Sequence, residues 1–470
     1  MPLAVGRLLG AAVLVAALAV SRPCAAADPE PPQRIRAGLE ILGFLAVDNA
    51  LLYVSAPPAA DPPGNVRLLD KLTLKAWSFD ASSFTTNFAA HPLAGTFYYT
   101  TARSNRIAPL ESLGWASTAS LLWELAEFPE NVSFNDLIVT PVAGTSLGEP
   151  LVQLSQWLDR GHPSGARHFL AAVLFPMKLV NGGPPPDDSD SGALAADLSI
   201  VSGSKLGSGP ELGVHVASRL VHFPGFGDPG DGTRLGFDGN VTGLSLDVRG
   251  GRSGLADLRF AAGTSLASLY QRSFGITGEG WDLLASGGVS YDFRQHAWNG
   301  GPLDSWSSVH VPGVGFQLRR VQGPFLVSLR ADLALTFGGA SSFALDGAPA
   351  TLPTETLTTT QRAWGYTMGW GISAAPRLDI SYGPLSLDLA AAIDTRYSLN
   401  RPDPWVDRQP TADLSDSWST VRGGLNLKLP WNQLQISASL ERNLRRGSAG
   451  SASRTVGETV ALIGLGFALQ

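Results

Sequence analysis

His91 and four acidic residues, Glu124, Glu127, Asp136 and Glu149, have side-chain types that suit acid–base or metal chemistry, and all fall between residues 91 and 149. Arg103 adds a guanidinium able to grip an anionic headgroup through paired hydrogen bonds, while Asn87, Tyr98 and Asn135 add amides and a phenol. As a site, His91 would be base or ligand and the carboxylates its partners. As structure, the same groups would hold the caps and crossings of a helical bundle, satisfying one another because each costs free energy when buried alone. Glu124 and Glu127, three apart, share a helix face, yet the Glu-x-x-His spacing of di-metal bundles is absent. One histidine with scattered carboxylates is a thin ligand signature, so we assign no metal, no cofactor and no catalytic residue beyond the weak candidates His91, Glu124, Glu127 and Asp136. Ser202-Gly-Ser-Lys205 has a Ser-x-x-Lys spacing but stands at a strand end without supporting motifs. No P-loop occurs, and Gly250-Gly251 with Gly254 lacks a strand-to-helix setting.

The elements that must position these residues are helical. Ile35 to Val54 is apolar but interrupted by Glu40, Asp48 and Asn49, which suits a packed helix and not a lipid-spanning one. His91-Pro92 opens a segment to about Arg106, Pro109 opens a second to about Phe128, and Ser133 opens a third. Each proline sits where a first helical turn tolerates one, and Ser133 with Asp136 forms a capping box with Asp in place of Glu. Thr96 to Thr100 has strand-favouring residues inside the first of these helices. A fourth apolar segment, Ala166 to Val180, ends in the polar, proline-rich NGGPPPDDSDSG, a linker.

The spaced pattern Trp77 to Asp80, Asn87, His91-Pro92, Gly95, Tyr98-Tyr99, Ala102-Arg103, Ser112, Trp123-Glu124, Glu127, Ser133, Asn135-Asp136, Thr140, Gly144 and Gly148-Glu149 resembles the bacterial domain-of-unknown-function family 3943. The likeness covers roughly residues 70 to 160 and departs from the pattern at Ala119 and Ala143, where glycine is expected. It implies a place in the Gram-negative envelope and supplies no reaction.

Beyond the linker the hydrophobic period changes to two. In Pro324 to Phe337, Phe325, Val327, Leu329, Ala331, Leu333, Leu335 and Phe337 fall on one face, against Ser328, Arg330, Asp332, Ala334 and Thr336 with Leu326 on the other. Twelve such strands are expected, at about 194–205, 211–222, 237–248, 255–272, 281–295, 308–321, 325–337, 362–381, 385–397, 418–429, 433–444 and 456–469. Their recurrence predicts an antiparallel transmembrane β-barrel with lipid outside and a polar lumen. Connections alternate between tight and long, which places the C-terminus and the helical domain on the periplasmic side; only Phe223 to Gly236 is long where a turn is expected. Trp281, Trp298, Trp306, Trp364, Trp418 and Trp431, near strand ends, are read as interfacial anchors. Arg330, Asp332, Asp388, Asp394, Arg396, Arg422, Lys428 and Glu441 face the lumen, and their mixed signs favour a self-paired interior over a selective pore.

Composition agrees. Arg7 with the apolar run Leu8 to Val20 and Ala25-Ala26-Ala27 reads as a signal peptide ending at residue 27, which removes the single cysteine, Cys24, and with it disulfides and thiolate chemistry. The remainder, with 32 basic and 40 acidic residues, has a charge of about −8, unsuited to nucleic acid. The fold class is therefore α+β: a signal peptide (1–27), a helical domain (28–180), a linker (181–193) and an outer-membrane barrel of about twelve strands (194–470). Outer-membrane lipid and the barrel assembly machinery are the expected partners, with a small solute or lipid as possible ligand. The expected role is transport, lipid contact or envelope structure, with the helical domain either periplasmic or a plug in the barrel lumen; the alternative is an outer-membrane enzyme acting on lipid through His91 and the carboxylates.

Overall fold

The computed structural model describes residues 31–469 except 56–67, 128–129, 162, 185–191, 206–208, 252–253, 299–300, 346–356, 400–410, 412, 431–432 and 451. The expected signal segment, Cys24, Trp431 and most of the expected linker lie outside the described residues. Two compact units result, Met1–Asp80 with Thr85–Ser189 and Ala81–Phe84 with Asp190–Gln470. No helix among the described residues is long and apolar enough to cross a membrane.

The first unit is helical. In α1 (Arg34–Ser55), Ala37, Ile41 and Leu45 recur every four residues and are buried, whereas Leu39, Leu42 and Val47 are exposed. After α2 (Leu68–Leu72), β1 (Trp77–Ser78) leads through one π turn (Thr86–Ala90) into α3 (His91–Ser104) and α4 (Pro109–Ala126). Strand β2 (Val132–Ser133) pairs parallel with β1 and opens α5 (Phe134–Leu158). Thr96 to Thr100 is helical despite its residue types, because Tyr98, Tyr99 and Thr100 are buried against neighbouring helices and packing overrides propensity. Long α5 runs through Pro141 and Pro150; its middle is buried almost without break, so tertiary contacts offset the hydrogen bonds that proline removes. The fourth apolar segment is two helices, α6 (Gly165–Leu174) and α7 (Lys178–Asn181), parted at Phe175-Pro176.

Helices α3 and α5 touch main chain to main chain. A Cβ on Gly95 would stand 1.8 Å from the carbonyl oxygen of Thr140, and one on Gly144 would stand 2.2 Å from the carbonyl carbon of Gly95. Ala143, where the family pattern has glycine, is buried without opening this crossing, because the contact is made by its neighbour.

The second unit is a closed antiparallel barrel. Its twelve staves are β3 (Gly192–Lys205), β4 (Gly209–His222), β6 (Val241–Gly251), β7 (Gly254–Phe274), β8 (Gly280–Ala297), β9 (Leu303–Gln322), β10 (Phe325–Ser341), β11 (Tyr366–Tyr382), β12 (Leu385–Ser398), β13 (Leu414–Lys428), β14 (Leu434–Ala449) and β15 (Ala452–Leu469). Pairing of β15 with β3, from Val460 opposite Lys205 to Leu469 opposite Ala196, closes the ring. The long connection after β4 holds a short additional strand, β5 (Gly230–Gly236). Strand β6 pairs with β7 only as far as Thr264, and β5 takes the same edge from Ser268 to Phe274, so the wall continues where β6 stops. The expected start of the eighth strand at 362 is helical, as α8 (Thr359–Trp364), which a Thr358/Gln361 capping box begins and Gly365, at φ 67°, ends.

Strand alternation holds with one exception in β10. Leu329, Leu333 and Leu335 are exposed on the outside, but Phe337, of the same parity, is fully buried beside the Trp370 ring at 5.1 Å. At that end of the wall Phe84 meets Phe293 and Tyr366, whose hydroxyl donates to the Ser82 carbonyl at 2.8 Å. Ser202 and Lys205 both lie within strand β3, so the Ser-x-x-Lys spacing has no helix to carry it.

Because the α3–α5 crossing has no space for a methyl group, Gly144→Ala should destabilise the helical unit by about 1–3 kcal/mol or more. Gly114→Ala, which meets nothing within 4 Å, should not. Thermal melting followed at the helical circular-dichroism band would measure the difference.

Candidate functional site

Pairing of β1 with β2, Trp77 opposite Val132 and Ser78 opposite Ser133, draws Asp80 to the first turn of α5. There the Asp80 amide donates to Asn135 Oδ1 at 3.0 Å, and Asn87 Nδ2 donates to Asp80 Oδ1 at 2.9 Å. Asn135 Nδ2 donates to Asp136 Oδ1 at 3.0 Å. His91, first residue of α3, sets its Nε2 3.6 Å from that same oxygen. One ligand atom each from Asp80, His91 and Asp136 lies within 4.8 Å of the others, a set able to hold a metal ion.

Glu124 completes the cap of α5. Ser133 Oγ accepts from the Asp136 amide at 3.3 Å, as the capping box requires, but the return bond to the Ser133 amide comes from Glu124 Oε2, at 2.6 Å, and not from Asp136. The Asp136 carboxyl meets His91, Asn135 and the side chains of Ser133 and Asp80. Beneath it, Lys71, fully buried, donates through Nζ to the carbonyl oxygens of Glu124 and Glu127, each at 2.5 Å, and so caps the C-terminal end of α4.

These surroundings disfavour charge. Burial first, then Asp136 and Glu127, push the Glu124 carboxyl well above the usual range, and burial with Asp80 does the same to Asp136. Burial, then Glu130, carries Glu127 up to about 7. Asp48 is raised by burial, and His91 is pushed below its ordinary value by burial against the pull of Asp80, Glu127 and Asp48. Tyr98, buried beside Phe44, has its hydroxyl raised by burial and then by Asp48, Glu124 and Glu127.

Arg103 and Glu149 form a separate structural knot. Arg103 Nε and Nη2 donate to the two Glu149 oxygens at 2.7 and 3.2 Å, and Nη1 donates to the Ile107 carbonyl at 2.5 Å. Tyr99 and Gln153 donate to the same carboxylate at 2.8 and 2.9 Å. Arg103 therefore does not grip a headgroup: its charge is buried and its fork is occupied. Of the nine residues singled out in the sequence, His91, Asn87, Asn135, Asp136, Glu124, Glu127 and Tyr98 share one polar core, and Arg103 and Glu149 stand apart from it. Asp80 and Lys71 were missed as site residues; for Asp80 the signal was its place in the Trp77-Ser-Phe-Asp80 motif, and for Lys71 there was none.

The barrel lumen is the other polar region. Arg259 of β7 meets Glu441 of β14 through Nη2 and Nη1, at 2.5 and 3.0 Å, and these strands stand five staves apart round the ring. Arg249 Nη2 pairs with Asp257 at 2.6 Å, while His296 joins Asp257 at 2.7 Å to Glu458 at 2.6 Å. In a second layer Arg445 of β14 reaches Asp304 of β9 at 3.0 Å and Asp416 at 2.6 Å. Trp298, Trp306 and Trp418 belong to this layer: they are buried, Trp306 Nε1 donates to Asp394 at 2.9 Å, and Arg445 lies over its ring at 5.0 Å. These three tryptophans are thus lumen fillers and not interfacial anchors: Trp306 and Trp418 turn inward from β9 and β13, and Trp298, just past the end of β8, packs against Trp418 at 5.3 Å, whereas Trp364 and Trp370 are exposed. Arg330, Asp332, Asp388, Arg422, Lys428 and Glu441 line a cavity of ≈ 910 Å³.

Residues 76–177 match the family described as Domain of unknown function (DUF3943). No curated protein matches the chain. Among solved structures, the barrel is similar to OmpT of Vibrio cholerae, at 8% identity over 60% of this chain and 98% of that one with a TM-score of 0.23. It is also similar to the translocator domain of the autotransporter NalP from Neisseria meningitidis, at 13% identity over 60% and 89% with a TM-score of 0.21, and to the outer membrane channel DcaP of Acinetobacter baumannii, at 8% over 59% and 95% with 0.19.

Two outcomes follow from the electrostatics. With Glu127 raised to about 7 against an ordinary 4.5, the folded unit keeps a proton that the unfolded chain releases, so this contribution is full below about pH 4.5 and lost as pH rises through 7. In chelator-containing buffer, stability of the helical unit should fall by about 2–3 kcal/mol between pH 5 and 8, and Glu127→Gln should flatten the slope. Arg103→Met leaves Glu149 buried without its cation and should cost about 3–5 kcal/mol in denaturant melts; a loss below 1 kcal/mol would show that the knot is not structural.

Proposed function

We propose that this chain is an outer-membrane protein whose barrel anchors it in lipid and whose lumen is closed by its own side chains, serving lipid contact or envelope structure and not free diffusion of solutes. The exposed aliphatic rows on the outward face support the membrane setting, since a closed ring of strands satisfies every backbone group without water. The observation that carries the closed lumen is the Arg259–Glu441 bridge, with the Arg445, Asp304 and tryptophan layer stacked along the same interior. Charges of both signs, paired across the lumen as in Arg259–Glu441 and Arg445–Asp304 and between neighbouring strands as in Arg249–Asp257, leave no ring of one sign to select a permeating ion. Outer-membrane lipid and the assembly machinery that inserts barrels are the partners this reading requires.

The enzyme reading has less support. His91 Nε2 stands 3.6 Å from Asp136, outside hydrogen-bond length, and the carboxylates around it are held by the Asn87, Asn135 and Ser133 donors. Such an arrangement fixes groups in place more than it moves protons.

The test is conductance. In planar bilayers the folded protein should give no steady current, and Arg259→Ser combined with Arg445→Ser, which removes both cross-lumen cations, should give measurable channels. Steady open-pore currents from the unaltered protein would overturn the proposal.

A further inference from the structure

We propose that Asp80, His91 and Asp136 form a binding site for one divalent transition-metal ion, with Zn²⁺ the best fit to one imidazole and two carboxylates. The three side chains come from separate parts of the chain: the segment after β1, the first residue of α3 and the first turn of α5. Pairing of β1 with β2 and the Gly95–Gly144 crossing bring those parts together. A tetrahedral ion with ligands at about 2.0–2.2 Å wants its donor atoms about 3.4 Å apart. The His91–Asp136 edge, at 3.6 Å, is already near that length, and Asp80 has to close only part of the 4.8 Å span.

Three further features set this trio apart from an ordinary acidic patch. Each carboxylate is held by a side-chain amide, Asn87 on Asp80 and Asn135 on Asp136, as supporting residues orient metal ligands. The surrounding charge is mostly acidic, because Asp48, Glu124 and Glu127 all act on this core, against a single buried ammonium, Lys71, which donates to the main-chain carbonyls of Glu124 and Glu127. Finally, Thr140, one turn beyond Asp136 on α5 and 3% exposed, has a buried hydroxyl with no hydrogen-bond partner. Its oxygen is a polar atom that a metal-bound water would satisfy.

The experiment uses the full chain in detergent, stripped with a chelator and equilibrated with Zn²⁺, with bound metal counted by mass spectrometry after gel filtration. Co²⁺ loading provides a second readout, the visible absorption of tetrahedral nitrogen–oxygen coordination. One ion per chain is expected, with a rise in the melting temperature of the helical signal. His91→Ala and Asp80→Asn should abolish the ion and the Co²⁺ spectrum, and Asn135→Ala should weaken affinity about 10–100-fold. His168→Ala and His215→Ala, at histidines paired elsewhere with Asp159 and Asp247, should leave both unchanged. Heat-modifiable gel migration checks that each variant's barrel is folded, and helical circular dichroism checks its helical unit. Failure of the folded protein to bind, or binding that survives His91→Ala, would overturn the site and leave a network of protonated carboxyls.

Discussion

Closure of the ring by β15 on β3 is the contact on which the second unit depends. Without it the first and last staves would present open edges, and every lumen pair that spans the ring would lose the geometry that lets it form. With it, side-chain direction follows parity along most of each strand. Outward positions on β10 collect Leu329, Leu333 and Leu335, and inward ones collect Ser328, Arg330 and Asp332. The same closure explains why charges on β7 and β14, far apart in sequence, can meet: a barrel of twelve strands is narrow enough for arginine and glutamate to bridge its interior.

Much of this architecture was legible because period two is a property of the strand itself. Twelve staves and their approximate bounds follow from alternation and from Gly-Pro turns such as Gly323-Pro324 and Gly383-Pro384, whose glycines have φ of 54° and 55°. What alternation does not encode is what stands on the far side of the lumen. Trp306 and Trp418 look like anchors when read along one strand, since tryptophan near a strand end usually marks an interface. Their neighbours Asp394, Arg445 and Trp298 come from other staves, and only the closed ring brings those together. Strand β5 was hidden for a related reason: Gly230–Gly236 has almost no apolar residues to alternate, and it forms because β7 offers a free edge beyond Thr264.

In the helical unit the helices follow from caps and prolines, and the polar core from the family pattern, but the roles within that core depend on crossings. Arg103 and Glu149 are 46 residues apart, and their pairing needs α3 and α5 to touch at glycine. Once Glu149 occupies the guanidinium, the remaining acids lose the cation that a linear reading would offer them. Glu124 likewise looks like a reactive carboxylate in sequence and proves to be half of a cap, because β2 delivers the Ser133 amide to it.

The two units bury charge in opposite ways, and this difference separates scaffolding from a site. In the lumen the bridging cations have anions on more than one side: Arg259 lies between Asp257 and Glu441, and Arg445 between Asp304 and Asp416. Such groups stabilise when intact and need nothing added, since removing one partner is what leaves a charge uncompensated. In the helical core the acids outnumber the cations, and the carboxyls rise toward neutrality because burial and their acidic neighbours outweigh the pull of Lys71 and His91. A fold selected only for stability would replace such acids with amides or apolar residues at little cost. Their presence around an imidazole, held by asparagines that orient them, is more economically explained by a cation that the core was built to receive.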